Sequence, residues 1–429
     1  MSSSDALAKR TTAIAALILA AATMVLLRLA IGDALWTEGE GVYALTARML
    51  LHGDELYRVV VVAQPPGTVL VGGLALAVHD SLHTLRDGMA LVQIASGLLC
   101  GGIVWGLTRS RTATILTPAL SLLTPWAVHE NATLIPETVA MPFLLGATLL
   151  CTRPRGSGAA GFLSAIAVFV KYPMALPAAA LIFAARNRRR YLLFGGIAVA
   201  VQIAVYSAAF GAANIWRETV VDQLEASGRS LHLLGGIFAQ ATWNSAVLVV
   251  FAGAAILLRR NASDAALMRA AIATATGVVL TAFTIAHTGT GLYVLATVEL
   301  ACLPLAVSGV VWVLGGVHRR TGLLVAALAG AALLAQSVSL LASPADPRLF
   351  VRPGAANGYA VNYTAAQVHL LTGAARRCPR ALAYSGTPFL AFTANRRMPA
   401  NQPDNYITVH SKHLASVRAA ISRDQPRCP

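Results

Sequence analysis

The chain has 429 residues, 56% of them hydrophobic and only 12% charged. A soluble globular domain carries about 25% charged residues, so this composition excludes that class and points to a polytopic membrane protein. The net charge of +15 reads as arginine in short loops that set topology; with no basic helix interleaved with aromatics, nucleic acid is not an expected partner.

Taken in order, the first apolar segment covers 12–31 and reads as an uncleaved first helix, since no clean small-residue cleavage site precedes Trp36. A first external loop, 32–87, follows. It opens with Trp36-Thr-Glu38-Gly-Glu40-Gly-Val-Tyr43. Val42, Leu45 and Met49 at i, i+3 and i+7 predict a short amphipathic helix lying along the membrane surface, with Thr46 and Arg48 off its apolar face and Gly53 as its stop. The 14-residue apolar patch Pro66–His79 is short for a span and suits a re-entrant or surface segment.

Further apolar segments fall at 88–108, 112–128, 138–151, 158–171, 174–185, 191–211, 243–258, 269–287, 292–314 and 321–342, giving eleven spans within a membrane domain of residues 1–342. Residues 343–429 read as an extracytoplasmic α/β tail. In it Tyr359 to Leu371 and Ser411 to Ile421 look helical and Ala381 to Tyr384 strand-like. With no large core of its own, the tail is expected to pack on the membrane domain.

Charge orients this thread. A cytoplasmic N-terminus places Lys9, Arg10, Arg109, Arg111, Arg153, Arg155, Arg186 and the arginines flanking later segments inside, and leaves five arginines outside before the tail. That is the asymmetry the positive-inside rule requires, and long translocated domains such as the tail escape it. The acids run the other way. Twelve, from Asp33 to Glu225, fall in external regions, against Asp5 and Asp264 in cytoplasmic ones, so chemistry is expected outside. Cys100, Cys151 and Cys302 lie in apolar runs as buried thiols, whereas Cys378 and Cys428 in the tail fit either a disulfide or two free thiols.

Ionisable groups bordering apolar segments are the functional candidates. Glu40, flanked by Gly39 and Gly41, reads either as a general base for an attacking hydroxyl or as a helix-start acid complementing the dipole. Glu137, after Pro136, sits at another helix start, and with Glu40 could hold a divalent metal. Lys171, ending a segment, could neutralise a phosphate or simply snorkel to the interface. Arg48 and Arg58 are alternative phosphate partners, while His287 and Tyr293 flank a glycine-containing turn and could line a pocket. Glu299, inside a segment, is the group a transporter would use.

The order of several stretches resembles a known superfamily. These are Gly39-Glu40-Gly41-Val42-Tyr43, Ala47-Arg48-Met-Leu-Leu-His-Gly53, Tyr57-Arg58, Pro65-Pro66-Gly67, Pro136-Glu137, Val170-Lys171-Tyr172, Val220-Val-Asp-Gln223 with Arg229, the His287 to Tyr293 turn, and Ala391 to Asp404. Together they resemble the GT-C superfamily of polyprenyl-phosphate-sugar glycosyltransferases, in particular the bacterial branch related to protein O-mannosyltransferases and aminoarabinose transferases. The resemblance implies an all-α, multi-pass protein of the bacterial plasma membrane. It implies inverting transfer from a polyprenyl-phosphate sugar to an acceptor hydroxyl on the external face, with a first-loop carboxylate as base. Tyr43, Arg48, Arg58, Glu137, Lys171, His287 and Tyr293 would line the substrate site. The chain departs from the pattern at three places. Gly39-Glu40 stands for the usual Asp-Glu, so Glu40 is the preferred base and Glu38 its substitute; Val59 stands for an Asp, and Gln64 for a basic residue before Pro-Pro. The alternatives are a non-catalytic relative that binds lipid-linked glycan, and a membrane transporter.

Overall fold

The computed structural model describes residues 3–34, 38–130, 132–226, 245–287, 294–316, 327–335, 364–377 and 388–403, with isolated positions elsewhere. Among these residues the structure is helical, and strand pairing is confined to one isolated bridge, Leu56 with Val60. Helix α1 (Ser3–Ile31) leads into α2 (Glu38–Leu51) and α3 (Pro66–Val78). Then come α4 (Leu82–Thr108), α5 (Arg111–Leu123), the single turn α6 (Pro125–His129), α7 (Pro136–Cys151), α8 (Ser157–Val170), α9 (Ala175–Ala184) and α10 (Arg188–Phe210). Short turns α11 (Ala212–Trp216) and α12 (Asp222–Ala226) follow, then α13 (Ala246–Leu257), α14 (Ala265–His287) and α15 (Val294–Gly316). The tail contributes α16 (Ala365–Arg377) and α17 (Pro388–Thr393).

Local chemistry sets most of these boundaries. Proline supplies the first turn of α3, α6 and α7, where its missing N–H is no loss. The Ser81 hydroxyl accepts from the Thr84 N–H at the start of α4, and the Asn187 side chain accepts from the Arg190 N–H at the start of α10. Segment three, expected as one run over 112–128, is broken: Thr124 adopts extended backbone before Pro125, which disfavours the helical region there.

Among the described residues five helices are long and apolar enough to cross a membrane: Leu7–Ile31, Leu82–Thr108, Arg188–Phe210, Ala265–Thr284 and Val294–Gly316. Large apolar side chains on α1 and α10, among them Leu26, Leu29, Leu193, Phe194 and Ile203, stay exposed, and such a belt is what lipid covers. The chain is thus a multi-pass membrane protein. Helices occupy each of the first ten expected segments, while 321–342 lies only partly within the described residues.

Two expectations change. Helix α2 does not lie on a surface with a polar outer face: from Glu40 to Met49 it is buried except for a half-buried Val42, and Thr46 and Arg48 are inside. Its neighbours α3 and α17 cover the side expected to be wet. In the tail, the first helix starts at Ala365 and runs on to Arg377, later at both ends than expected. The strand-like 381–384, both tail cysteines and most of 411–421 lie outside the described residues. The tail does pack on the rest of the protein, with Val368 and Phe389 meeting Leu82.

The two ends of the helix bundle differ chemically. At one end lie the start of α4, the start of α7 and the end of α8, with Glu40, Arg86, Glu137 and Lys171. At the other end Lys9, Arg109, Arg153, Arg186 and Asp264 surround one cavity. The latter are residues that the charge rule assigns to a single side.

Candidate functional site

Two carboxylate–cation pairs organise the end of the bundle that carries the first loop. In the first, Arg86 on α4 clamps Glu40 on α2. Arg86 Nε donates to Glu40 Oε1 at 2.8 Å and Nη2 to Oε2 at 2.6 Å. The same guanidinium donates to the carbonyls of Gly32 and Ala34, at 3.0 and 2.9 Å, so it also fixes the chain leaving α1. Glu40 is 0% exposed and Arg86 1%. Both oxygens of Glu40 are therefore occupied by a bidentate partner, the strongest geometry a carboxylate finds.

Gly41 explains how α2 comes so close to the tail. A Cβ there would stand 2.2 Å from the Phe389 nitrogen, so only glycine admits α17 at this point. Arg48 completes the joint. Its Nε donates to Asp80 Oδ1 at 2.7 Å, Nη1 donates to the Phe392 carbonyl, and the guanidinium lies 3.8 Å from the Phe392 ring centroid. Arg48 is buried, and desolvation lowers its pKa while Asp80 opposes that shift. Further along, the Val61 N–H donates to Gln402 Oε1. The tail is thus bolted to the first loop, and Arg48 is spent on the bolt.

The second pair is different. Lys171 follows the last residue of α8 in an extended conformation, between that helix and the short turn Tyr172–Met174. Its Nζ donates to Gln64 Oε1 at 2.9 Å and lies 3.0 Å from Glu137 Oε1. The second contact balances charge without hydrogen-bond geometry, and neither oxygen of Glu137 has a hydrogen-bond partner. Lys171 is 4% exposed and Glu137 0%. An ammonium carries three donors; one is accepted by Gln64, which leaves donors for an anionic ligand.

Close packing builds this corner. A Cβ on Gly67 would come within 2.7 Å of the Phe169 carbonyl, so the Pro65-Pro66-Gly67 turn presses directly on the end of α8. Thr68 Oγ1 donates to the Val170 carbonyl at 3.2 Å. Tyr57, held at φ +65, donates its hydroxyl to the Gln64 carbonyl at 2.6 Å. Burial, with Tyr172, Tyr206 and Glu218 nearby, pushes the Tyr57 phenol well above its usual pKa, so it stays a donor. A strip of rings leads away from the corner. Phe169 meets Tyr172 and Tyr206 at 6.1 and 5.8 Å, and Phe210 meets Tyr57 at 5.9 Å and Tyr206 at 6.4 Å. Tyr206 and Phe210 belong to α10, whose neighbouring Ile203 and Val205 are exposed on the lipid-facing surface. A buried ammonium at the head of an aromatic strip that opens to lipid suits an amphiphile with an anionic head.

Two other expected residues have their own settings. Arg58 pairs with Glu55 at 2.9 Å, and both side chains are exposed. Tyr43 is buried in the core. Glu38 begins α2, but its side chain, that of His287 and the whole of Tyr293 lie outside the described residues. Glu40 and Glu137 each face their own cation, and among the described residues no cluster of three metal-ligating side chains forms. Glu299 is buried and accepts from the Trp126 N–H at 2.9 Å and the Ser245 hydroxyl at 2.8 Å, which makes it a brace between α6, α13 and α15. Arg86, Asp80 and Gln402 are partners of the candidate residues and of the first loop that sequence reasoning passed over. A lone arginine entering an apolar segment was the available signal for Arg86.

No family model matches the sequence, and no curated protein matches it. The fold does match solved structures. ArnT from Cupriavidus metallidurans, bound to undecaprenyl phosphate, superposes with a TM-score of 0.64 at 13% identity, over 92% of this chain and 87% of that one. The Archaeoglobus fulgidus oligosaccharyltransferase, in a complex with Zn and sulfate, gives 0.51 at 14% identity over 90% and 62%. The chain therefore shares the GT-C fold of these structures.

Proposed function

We propose that this protein is a membrane glycosyltransferase. It takes a sugar from a polyprenyl-phosphate-linked donor and passes it to an acceptor hydroxyl on the extracytoplasmic face. The observation that carries this reading is the buried Lys171 ammonium, poised at the Pro-Pro turn with an aromatic strip running from it to the lipid surface. The similar fold of ArnT, which binds undecaprenyl phosphate, supports placing the phosphate at that ammonium and the isoprenoid along the rings. In the displacement, an acceptor oxygen forms a bond to the anomeric carbon as the bond from that carbon to the phosphate oxygen breaks. The departing phosphate keeps the electron pair, which Lys171 stabilises, and a carboxylate takes the hydroxyl proton. Glu38 is the better candidate for that base, since both oxygens of Glu40 are held by Arg86. Glu137 faces the Lys171 ammonium and holds it in place. No step is assigned to a metal. In this reading eleven spans in residues 1–342 leave the N-terminus in the cytoplasm and the 343–429 tail outside.

One observation favours a second reading. With Gly39 in place of an acid and Glu40 locked, the chain could bind lipid-linked glycan without turning it over. The transporter reading loses its main residue, because Glu299 is satisfied as a brace. The deciding experiment incubates the purified protein with a panel of polyprenyl-phosphate sugars and membrane extract, and follows release of polyprenyl phosphate. Turnover that Lys171→Gln and Glu38→Gln each abolish, with both variants folded, is the expected outcome. Donor binding without turnover by the wild type would establish the non-catalytic relative.

A further inference from the structure

At the end of the bundle away from Lys171, we infer a second binding site, one for a phosphate group. It does not depend on the proposed transfer reaction. A cavity of about 500 Å³ opens there between the start of α1 and the ends of α4, α7 and α9. Lys9, Arg109, Arg153 and Arg186 surround it, with the Trp105 ring and Thr152 on its walls and Asp264 as its acidic member. The balance is four cations to one carboxylate, one oxygen of which caps a helix. Asp264 Oδ1 accepts the N–H groups of Ala266 and Leu267, both at 3.0 Å, at the start of α14. Among the described residues no carboxylate pairs with Arg109, Arg153 or Arg186.

Arginine at this side is what topology alone would provide, so the convergence needs its own reason. These cations come from four separate stretches of chain and meet on one concavity. Arg109 is held there by an unusual backbone: it sits at φ +58, where glycine is the ordinary choice, and its N–H caps α4 on the Trp105 carbonyl. The guanidinium lies over the Trp105 ring at 5.8 Å. Gly102 and Gly106, which also line the cavity, let Leu149 and Leu267 pack close against α4. Guanidinium groups with unspent donors around a concave, partly apolar floor match a phosphate oxygen fork, and a basic pocket between membrane helices suits an anionic lipid headgroup. A soluble phosphate offers the same chemistry.

The test uses the full chain in a non-ionic detergent, titrated calorimetrically with three probes: short-chain phosphatidylglycerol, short-chain phosphatidylcholine and inorganic phosphate. Four proteins are compared: the wild type, the triple variant Arg109→Gln/Arg153→Gln/Arg186→Gln, the matching lysine triple, and a control triple with the same charge change as the first, Arg189→Gln/Arg259→Gln/Arg260→Gln. Removing three cations from a shared anion site weakens binding about a hundredfold. The expected result is that loss in the pocket triple and near wild-type binding in the control. Restored binding in Arg109→Lys/Arg153→Lys/Arg186→Lys, which keeps the charges, separates the effect from misfolding. Tight phosphatidylglycerol with weak inorganic phosphate assigns the site to lipid, and equal binding of the two assigns it to a soluble phosphate. Equal losses in both triples, or no loss in the pocket triple, would overturn the inference and return these arginines to topology alone.

Discussion

Substituting Glu40 separates a structural anchor from a catalytic base. Arg86 places four donor contacts, two on Glu40 and one each on the carbonyls of Gly32 and Ala34. Glu40→Ala removes the only carboxylate in that set and strands a guanidinium that is 1% exposed. Breaking a buried pair from one side costs about 3–5 kcal/mol. Proteins of this kind are stable by about 5–15 kcal/mol, so the loss is a large share of the total. Thermal unfolding of the purified protein should show a fall on the order of 5–10 °C. Removing both charges with an apolar pair, Glu40→Leu/Arg86→Met, should recover most of it, because replacing a whole buried pair is often neutral. A general base behaves otherwise, since its loss lowers rate about 10²–10⁴-fold without unfolding the protein. The reasoning fails if Glu40→Gln melts like the wild type yet loses turnover on that scale; Glu40 would then be the base despite Arg86.

The remaining expectations concern the corner and the tail. Lys171→Gln should lower polyprenyl phosphate release by about 10²-fold or more, and Gln64→Lys in that background should restore much of it, because the two side chains already touch; the same release assay reads both. Gly41→Ala should displace α17, and hydrogen exchange across 388–403 should rise relative to the wild type. Arg48→Ala severs the contacts to Asp80 and Phe392 at about 1.5–3 kcal/mol per charged hydrogen bond, and limited proteolysis should then cut the tail faster. Glu299→Leu should unbrace α6 and α13 and lower thermal stability by about 1–3 kcal/mol, since it orphans the Trp126 N–H and the Ser245 hydroxyl.

Much of the architecture could be read from local signals. Apolar runs, the prolines at 66, 125 and 136, and the caps at Ser81 and Asn187 each act within a few residues, so ten helical segments were legible. The pairings that define the candidate site are of another kind. Glu40 and Arg86 are 46 positions apart, Gln64 and Lys171 107, and Arg48 and Phe392 344. No periodicity reports such distances. The amphipathic reading of α2 failed for the same reason. Thr46 and Arg48 lie off the apolar face, as a surface helix requires, but α3 and α17 cover that face, and a partner from the tail leaves no mark in the local pattern. The candidate residues themselves were visible as charges beside apolar segments. Which of them bind each other was not.

That distinction bears on where a ligand can find charge. Arg86 and Arg48 are the cations that meet the acids Glu40 and Asp80, and they donate to carboxylates and carbonyls inside the fold. Arg86 cannot turn to an incoming phosphate without leaving the buried Glu40 carboxylate uncompensated. Lys171 stands in the opposite position. Its partner Glu137 neutralises it without taking a hydrogen bond, and its one full acceptor is the neutral amide of Gln64. An amide gives up a donor to a phosphate at far lower cost than a carboxylate would, so Gln64 can hold the ammonium in place when no ligand is bound and release it when one arrives. The departure at Gln64 from the basic residue expected before Pro-Pro then becomes part of the site: a second cation there would repel Lys171, whereas glutamine holds it.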